Sequence, residues 1–256
     1  MLKVWFPGLF RREGAPKFFY ADPAEASRVT RELIEAFVEH ARSVGASFVA
    51  LSHCPTSDRV VANVAEALAF RTLAAPDAFI IQLAEPTSFE AYLNRLSQTR
   101  RGDFRRDLRR AAKAGAHMIE ETVARPETLE RSWPLHVALS MRKGNDYRLG
   151  GTSLFDAFQR WLKPADLRVE ACYSGDEFAG ALIMHIAGTE MHAGYICHRP
   201  ELEWQVYTAI IATAIERAIS RGTTAVHLGF GNDYQKTRLG ADALPHVSYV
   251  LPLTRR

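Results

Sequence analysis

The stretch of residues 190–240 constrains the fold of this chain more than any other segment. Its pattern predicts a strand over Glu190–Cys197, a helix beginning at Pro200, a strand over Thr224–Phe230 and a polar tail over Gly231–Lys236. A helix that crosses back between two strands of one sheet is typical of open α/β sheets, which bind ligands at the carboxyl ends of their strands. We therefore expect a ligand crevice beside the polar tail.

The predicted helix has one apolar face that packs on a sheet. Pro200 suits the first turn of a helix, Gly222 suits its end, and apolar residues recur at spacings of three and four. That face comprises Trp204, Tyr207, Ile210, Ile211, Ala214, Ile215, Ala218 and Ile219.

The start of this helix is a candidate site for a phosphate-bearing cofactor. The first amide groups of a helix are unpaired and carry the positive end of its dipole, which favours an anion. The alternative is that Arg199 is only a solvated loop charge. The candidate cofactor-binding residues are His198, Arg199, Glu201 and Leu202.

The composition is that of an ordinary soluble globular protein. At 256 residues, with a hydrophobic fraction of 47% and a charged fraction of 24%, the chain can bury the core of one or two domains. No apolar run is long enough to cross a membrane, and the first residues do not resemble a secretory signal. The scattered cysteines Cys54, Cys172 and Cys197 favour free thiols in a reducing compartment. We therefore predict a cytoplasmic protein without membrane insertion.

Positive charge is concentrated between Arg95 and Lys113, where eight basic residues outnumber two acidic ones, although the net charge of the chain is only +3. The pattern predicts a helix that follows Gly102 and ends at Gly115. Arginines four positions apart repel one another, and an anionic partner would offset this repulsion. A solvated face neutralised by nearby carboxylates is the alternative. The candidate residues for binding substrate or RNA are Arg101, Arg105, Arg109 and Arg110.

The first part of the chain begins with a similar order of elements. An apolar stripe predicts a helix that begins after Asp22 and ends before Gly45. A strand over Phe48–Leu51, a helix over Ser57–Ala69 and a strand over Ala78–Leu83 follow. The stripe consists of Val29, Leu33, Phe37 and Ala41.

Two short segments of the chain match in register. Residues 39–51 and 216–228 share Glu, Ala, Ser, Gly, Val and Leu at equivalent positions, and both predict a helix, a glycine stop and a strand. We interpret this as an internal duplication whose first copy has lost its front half. Chance similarity between alanine-rich helices that end in glycine is the alternative.

The middle of the chain predicts further helices and strands. A capping box formed by Thr87 and Glu90 predicts the start of a helix. Further helices are predicted over Glu127–Lys143 and Ser153–Lys163, and further strands over His117–Thr122, Leu167–Tyr173, Phe178–Ala187 and His246–Leu253.

A two-residue turn at Gly188-Thr189 places two histidines side by side. The turn pairs Ala187 with Glu190 and therefore His185 with His192 on one face of a hairpin. Two charged imidazoles repel, so at least one stays neutral near pH 7 and can accept a proton. A structural pair of partly buried histidines is the alternative. The opposite, core face is predicted to carry Leu182, Met184, Ile186, Met191, Ala193 and Tyr195.

A second candidate catalytic cluster, Asp233, Tyr234 and Lys236, follows the last strand of the opening stretch. Asp233 can orient or deprotonate an amine, and Lys236 can stabilise an oxyanion or bind a carboxylate. A plain helix start capped by Asn232 or Asp233 is the alternative. The motifs of serine hydrolases, zinc peptidases, paired-cysteine sites and phosphate loops are absent from the sequence, so we predict no metal and no covalent hydrolysis.

Several spaced motifs together resemble the GNAT-type acyltransferases of the FemAB and BioF2-like group. They are Phe89-Glu90-x-Tyr92-Leu93, the arginine-rich helix to Gly115, Ala193-Gly194-Tyr195, the long helix, Leu228-Gly229-x-Gly231-x-x-Tyr234-x-Lys236 and Leu239-Gly240. The resemblance covers the chain from about Phe79 to its end. It implies an α/β fold of the GNAT type, with a mixed central sheet flanked by helices, over residues 85–256. Residues 1–84 would then be a truncated GNAT-like half.

The resemblance implies an acyltransferase that moves an acyl group from acyl-CoA to a small-molecule or peptide amine by direct attack. In the peptidoglycan-bridge members of the group the donor is aminoacyl-tRNA, which stays as the alternative donor here. The lysine of the Tyr-x-Lys region is associated with the reaction centre, and this role falls on Lys236 with Tyr234 beside it. The chain lacks the Gln/Arg-x-x-Gly-x-Gly/Ala loop of ordinary GNAT enzymes and a long coiled-coil arm. From another class, a non-catalytic binding module on a GNAT scaffold also stays open.

Overall fold

The computed structural model describes residues 22–121, 126–142 and 166–253. The chain divides into two compact units. The first contains the chain up to Phe79 together with Phe230–Asp233 and the segment from Ala243 onward, and the second contains Ile80–Gly229 and Tyr234–Asp242. The division predicted between residues 84 and 85, and the interpretation of the first part as a truncated GNAT-like half, stay predictions.

In its described residues the first unit contains two α-helices and a three-stranded antiparallel sheet. Its elements are α1 (Ala26–Ser43), β1 (Phe48–Pro55), α2 (Arg59–Ala67), β2 (Arg71–Ala74) and β10 (His246–Pro252). The strand order is β1-β10-β2. The side chains of Ile34, Val38, Leu51, Val61 and Tyr249 form part of one apolar core between the helices and the sheet.

The apolar stripe predicted for α1 was wrong at two residues, each of which lies one position before the residue that is buried. The helix buries Ile34 and Val38, whereas Leu33 is 40% exposed and Phe37 is only partly buried. Successive residues of an α-helix are rotated by about 100° around its axis, so a stripe displaced by one residue faces a different direction. Neighbouring apolar residues therefore compete for the core.

The second unit is built around a mixed sheet. Its elements are β3 (Ala78–Gln82, which begins in the first unit), α3 (Phe89–Arg95), α4 (Gln98–Lys113), β4 (Ala116–Glu121), α5 (Pro126–Arg142), β5 (Leu167–Ser174), β6 (Glu177–Ala187), β7 (Glu190–His198), α6 (Glu203–Ser220), β8 (Ala225–Phe230), α7 (Asp233–Arg238) and β9 (Asp242–Leu244). The strand order is β4-β5-β6-β7-β8-β3-β9, with β4 to β7 antiparallel and β7 parallel to β8. The predicted α/β class with a mixed sheet is confirmed. Helix α6 supplies the predicted crossover between β7 and β8.

Three helix boundaries differ from the sequence prediction. Helix α3 is capped by Ser88, whose Oγ accepts a hydrogen bond from the Ala91 amide at 3.1 Å, and not by Thr87. Helix α4 begins at Gln98 after its cap Ser97, so Gly102 lies inside the helix. A short 3-10 turn over Pro200–Leu202 precedes α6. The helix predicted over Ser153–Lys163 lies outside the described residues.

The hairpin of β6 and β7 follows the predicted register only near its turn. Ala187 pairs with Glu190 and His185 with His192, as predicted. A bulge then shifts the register, so that Tyr195 pairs with Ile183 and packs beside Cys197. Tyr195 therefore lies on the opposite face from the one predicted. A bulge inserts one unpaired residue and reverses the facing of every residue beyond it.

One buried carboxylate lies beneath α6. Glu170 of β5 is fully buried, and its Oε2 lies 2.9 Å from Nε of Arg217. Arg217 also contacts Glu120 of β4 at 3.0 Å, and Glu120 in turn contacts Arg221. Burial raises the pKa of Glu170 from 4.5 to about 7, and Arg217 opposes this shift.

Candidate active site

Three histidines lie side by side across three neighbouring strands. The register aligns His185 of β6 with His192 of β7, and His192 with His227 of β8. The ring centres of His185 and His192 are 6.3 Å apart, and the rings of His192 and His227 are stacked at 4.4 Å with an interplanar angle of 8°. We call these three residues the histidine row.

A carboxylate belongs to the same face of the sheet. Glu190 precedes His192 by two positions on β7, and residues two apart in a strand share a face. Its Oε2 lies 3.2 Å from Nε2 of His227 and 3.8 Å from Nε2 of His192. The carboxylate therefore lies within reach of two members of the histidine row.

Burial differs along this cluster. The side chain of His227 is 4% exposed, that of His192 is 12% exposed and that of Glu190 is 22% exposed. Burial lowers the pKa of His185, and Asp166 opposes this shift. His185 is therefore neutral near pH 7 and has an imidazole nitrogen that can accept a proton.

The histidine row lies where two parallel strands stop pairing. The ladder between β7 and β8 joins Glu190, Met191 and His192 to Ala225, Val226 and His227. Beyond this ladder β7 continues to His198 and β8 to Phe230, within the described residues and without further pairs between the two strands. Parallel strands that part at their carboxyl ends leave backbone amides and carbonyls available to a ligand.

The sequence prediction found two of the four residues in this cluster. His185 and His192 lie together as predicted, whereas Glu190 and His227 were missed as site residues. Glu190 could have been found from the sequence, because residues two apart in a strand share a face and Glu190 lies two positions before His192. The alignment of His227 depends on the register across a long helical crossover, which local spacing does not give.

The residues of the predicted second cluster lie at the start of α7. Lys236 is buried, and its Nζ donates a hydrogen bond to the Gly229 carbonyl at 2.8 Å. Tyr234 is 72% exposed. Asp233 is exposed and belongs to the first compact unit, whereas Tyr234 and Lys236 belong to the second. The catalytic roles predicted for all three stay predictions.

The predicted cofactor-binding residues surround the turn before α6. His198 is buried, with Nδ1 3.2 Å from the Arg199 carbonyl oxygen. Nε of Arg199 donates to Glu201 at 2.6 Å, and its Nη1 contacts Glu177. Leu202 is partly buried. A phosphate at this place would have to compete with two carboxylates for Arg199.

The arginines of α4 are partly neutralised within the second unit. Arg105 contacts Glu90 of α3, Arg101 donates to Asn94 at 3.2 Å, and Arg110 lies 4.0 Å from Asp107. Arg109 is exposed on the same helix. Asp107 itself is buried and contacts Arg238. Neighbouring carboxylates thus offset part of the repulsion between the arginines, as the solvated-face alternative expects.

Comparison with known proteins identifies the family. A sequence profile described as an acetyltransferase (GNAT) domain matches residues 98–237, which include α4, the histidine row and the start of α7. The chain belongs to the GNAT acetyltransferase family. This membership makes the protein an acyltransferase, as predicted from the sequence. No curated protein matches the chain.

Solved structures share the GNAT fold of this chain. FemX has a TM-score of 0.62 at 12% identity, over 98% of this chain and 81% of that one. The C-terminal domain of a putative lysylphosphatidylglycerol synthetase from Agrobacterium fabrum has a TM-score of 0.61 at 14% identity, over 86% of this chain and 72% of that one. A tandem GNAT protein from the clavulanic acid biosynthesis pathway has a TM-score of 0.57 at 13% identity, over 87% of this chain and 69% of that one. These likenesses confirm the predicted fold.

Over the described residues, no helix of this GNAT protein has both the length and the apolar character that a membrane span requires.

Proposed function

We propose that this GNAT protein is an N-acyltransferase that moves an acyl group from acyl-CoA to an amine by direct attack. The observation that supports this most strongly is the histidine row, which lies where β7 and β8 stop pairing. An imidazole at this position can take a proton from an amine that attacks a donor held along the parted strands. The amine acceptor is a small molecule or a peptide.

The proposed reaction needs one proton acceptor and no covalent enzyme intermediate. The amine nitrogen attacks the thioester carbonyl carbon, and its proton passes to an imidazole. The carbon–sulfur bond then breaks to release the CoA thiolate, which takes this proton from the imidazolium to give the free thiol. We assign the acceptor role to His185, because burial keeps this imidazole neutral. His192 is the second choice on the same face, and Asp233 is the third.

Two further roles complete the proposal. Lys236 stabilises the oxyanion or binds an acceptor carboxylate, since its side chain is a cationic hydrogen-bond donor that lies beside the Gly229 carbonyl at the end of β8. The turn before α6, with His198 and Arg199, contacts the phosphates of the donor. Both roles are predictions made from the sequence.

A second candidate function is aminoacyl transfer from aminoacyl-tRNA. We place the chain in the FemAB and BioF2-like group, and its fold is shared with FemX. The exposed side chains of Arg106, Arg109 and Arg110 on α4 are suited to an RNA backbone. A catalytically silent binding module that uses the same arginines is the third reading. The cytoplasmic location stays a prediction.

Calorimetric titration with acetyl-CoA, longer acyl-CoAs and free CoA tests the proposed donor. We expect saturable binding that an Arg199→Ala, Lys236→Ala double variant weakens at least tenfold, because it removes both proposed contacts. Lys113→Ala is the matched control, since it removes an exposed cation at the end of α4. Thermal unfolding shows whether the variants remain folded, because Lys236 is buried.

Two outcomes of this titration contradict the CoA proposal. The first is that no acyl-CoA binds. The second is that the folded double variant binds as tightly as the unaltered protein. Binding of aminoacyl-tRNA that weakens steeply with salt would then favour the second candidate.

A further inference from the structure

We propose that Glu190, His192 and His227 form a binding site for one divalent transition-metal ion of the zinc type. The three side chains offer a carboxylate oxygen and two imidazole nitrogens that all lie within 4.8 Å of one another. Two histidines and one glutamate are a ligand set that zinc uses in proteins, with a fourth position left open.

The spacing of the donor atoms is close to that of a bound ion. Ligands about 2.0–2.2 Å from a tetrahedral zinc ion lie roughly 3.3–3.6 Å from one another. Oε2 of Glu190 lies 3.2 Å from Nε2 of His227 and 3.8 Å from Nε2 of His192. Two of the three separations are therefore within a few tenths of an ångström of those required.

The two imidazole rings must turn out of their nearly parallel stack to bind one ion. The rings of His192 and His227 are nearly parallel, at 8°, whereas a metal lies close to the plane of each imidazole that binds it. The terminal torsion of histidine has a broad intrinsic profile, so the torsion itself allows each ring to turn. The strand register holds the two Cα atoms opposite each other while the rings turn.

The burial gradient gives the site a closed side and an open side. His227 is the most buried of the three side chains and Glu190 the least, so the carboxylate is the ligand most exposed to solvent. No metal motif is visible in the sequence, because the ligands come from two strands that α6 separates along the chain.

The proposed site does not include His185. Its ring centre is 6.3 Å from that of His192 on the neighbouring strand. An ion bound to His192 and His227 would thus leave His185 as the imidazole able to accept a proton. The metal proposal does not depend on the proposed acyl transfer, because binding can be measured without any substrate.

Calorimetric titration of the tag-free full chain with zinc chloride, after removal of metal by a chelator, tests the site. We expect one ion per chain with a dissociation constant in the micromolar range or below, and a higher melting temperature with zinc. His192→Ala and Glu190→Gln should each weaken binding about 100-fold. His117→Ala and His185→Ala are matched controls that should keep the affinity, since neither residue belongs to the site.

The proposal is overturned by either of two results. One is the absence of saturable zinc binding to the folded protein. The other is an affinity and stoichiometry that stay the same in His192→Ala and Glu190→Gln, which would identify adventitious binding elsewhere. His227→Gln provides an additional test in which the buried position keeps a polar side chain of similar size.

Discussion

Replacing His185 with alanine is expected to lower kcat/KM for acyl transfer by about 10²–10⁴-fold, which is the usual contribution of a general base. Burial lowers the pKa of His185, and its neutral imidazole is thus poised to accept the proton of an attacking amine. The loss should appear in kcat, with KM for the acyl donor little changed, because the imidazole acts on the reacting proton. Steady-state kinetics over a range of donor concentrations measures both kcat and KM.

His117→Ala is the matched control for this prediction. His117 is an exposed histidine on β4 that stacks on Tyr173 and lies outside the histidine row. Its replacement should leave both kinetic constants within about twofold. A fall in kcat of less than about fivefold in folded His185→Ala would contradict the assignment and transfer the role to His192 or Asp233.

Glu170→Gln is expected to change the pH dependence of stability. The folded protein holds the pKa of Glu170 at about 7, against 4.5 in the unfolded chain, so the folded state binds more protons between these values. The free energy of unfolding contributed by this group therefore falls as pH rises from about 4.5 to about 7, by about 2–3 kcal/mol in total. Glutamine does not titrate, so the variant should lose this decrease.

Urea denaturation at pH 5, 6, 7 and 8 measures the expected difference. The stability of Glu170→Gln relative to the unaltered protein should rise over this series and level off above pH 7. Glu216→Gln, on an exposed position of α6, should follow the unaltered protein. Parallel curves for Glu170→Gln and the unaltered protein would show that Arg217 fully compensates the burial of this carboxylate.

Local sequence signals were sufficient where one turn or one period determines the structure. The two-residue turn at Gly188-Thr189 fixes the hairpin register, so the pairing of His185 with His192 could be predicted. The apolar period of α6, with Pro200 before it and Gly222 after it, gave the crossover helix and the parallel arrangement of its strands.

Local sequence signals did not predict the structure where it depends on contacts between residues that are distant in sequence. The bulge that moves Tyr195 to the other face has no local residue signature beyond Gly194. Strand β2 was missed because all four of its residues are exposed, so no hydrophobic alternation marks it. The partner of Arg105 lies on α3, and the alignment of His227 depends on β7, so neither follows from spacing along the chain.

Direct measurement of acyl transfer tests the proposed N-acyltransferase activity. The purified protein is incubated with acetyl-CoA or longer acyl-CoAs and a panel of small-molecule and peptide amines, while released thiol and acylated product are measured together. We expect thiol release that requires an amine, equals the acylated product in amount and is lost in His185→Ala. Transfer from aminoacyl-tRNA but from no acyl-CoA would overturn the donor, and transfer from neither donor would contradict the proposed function itself.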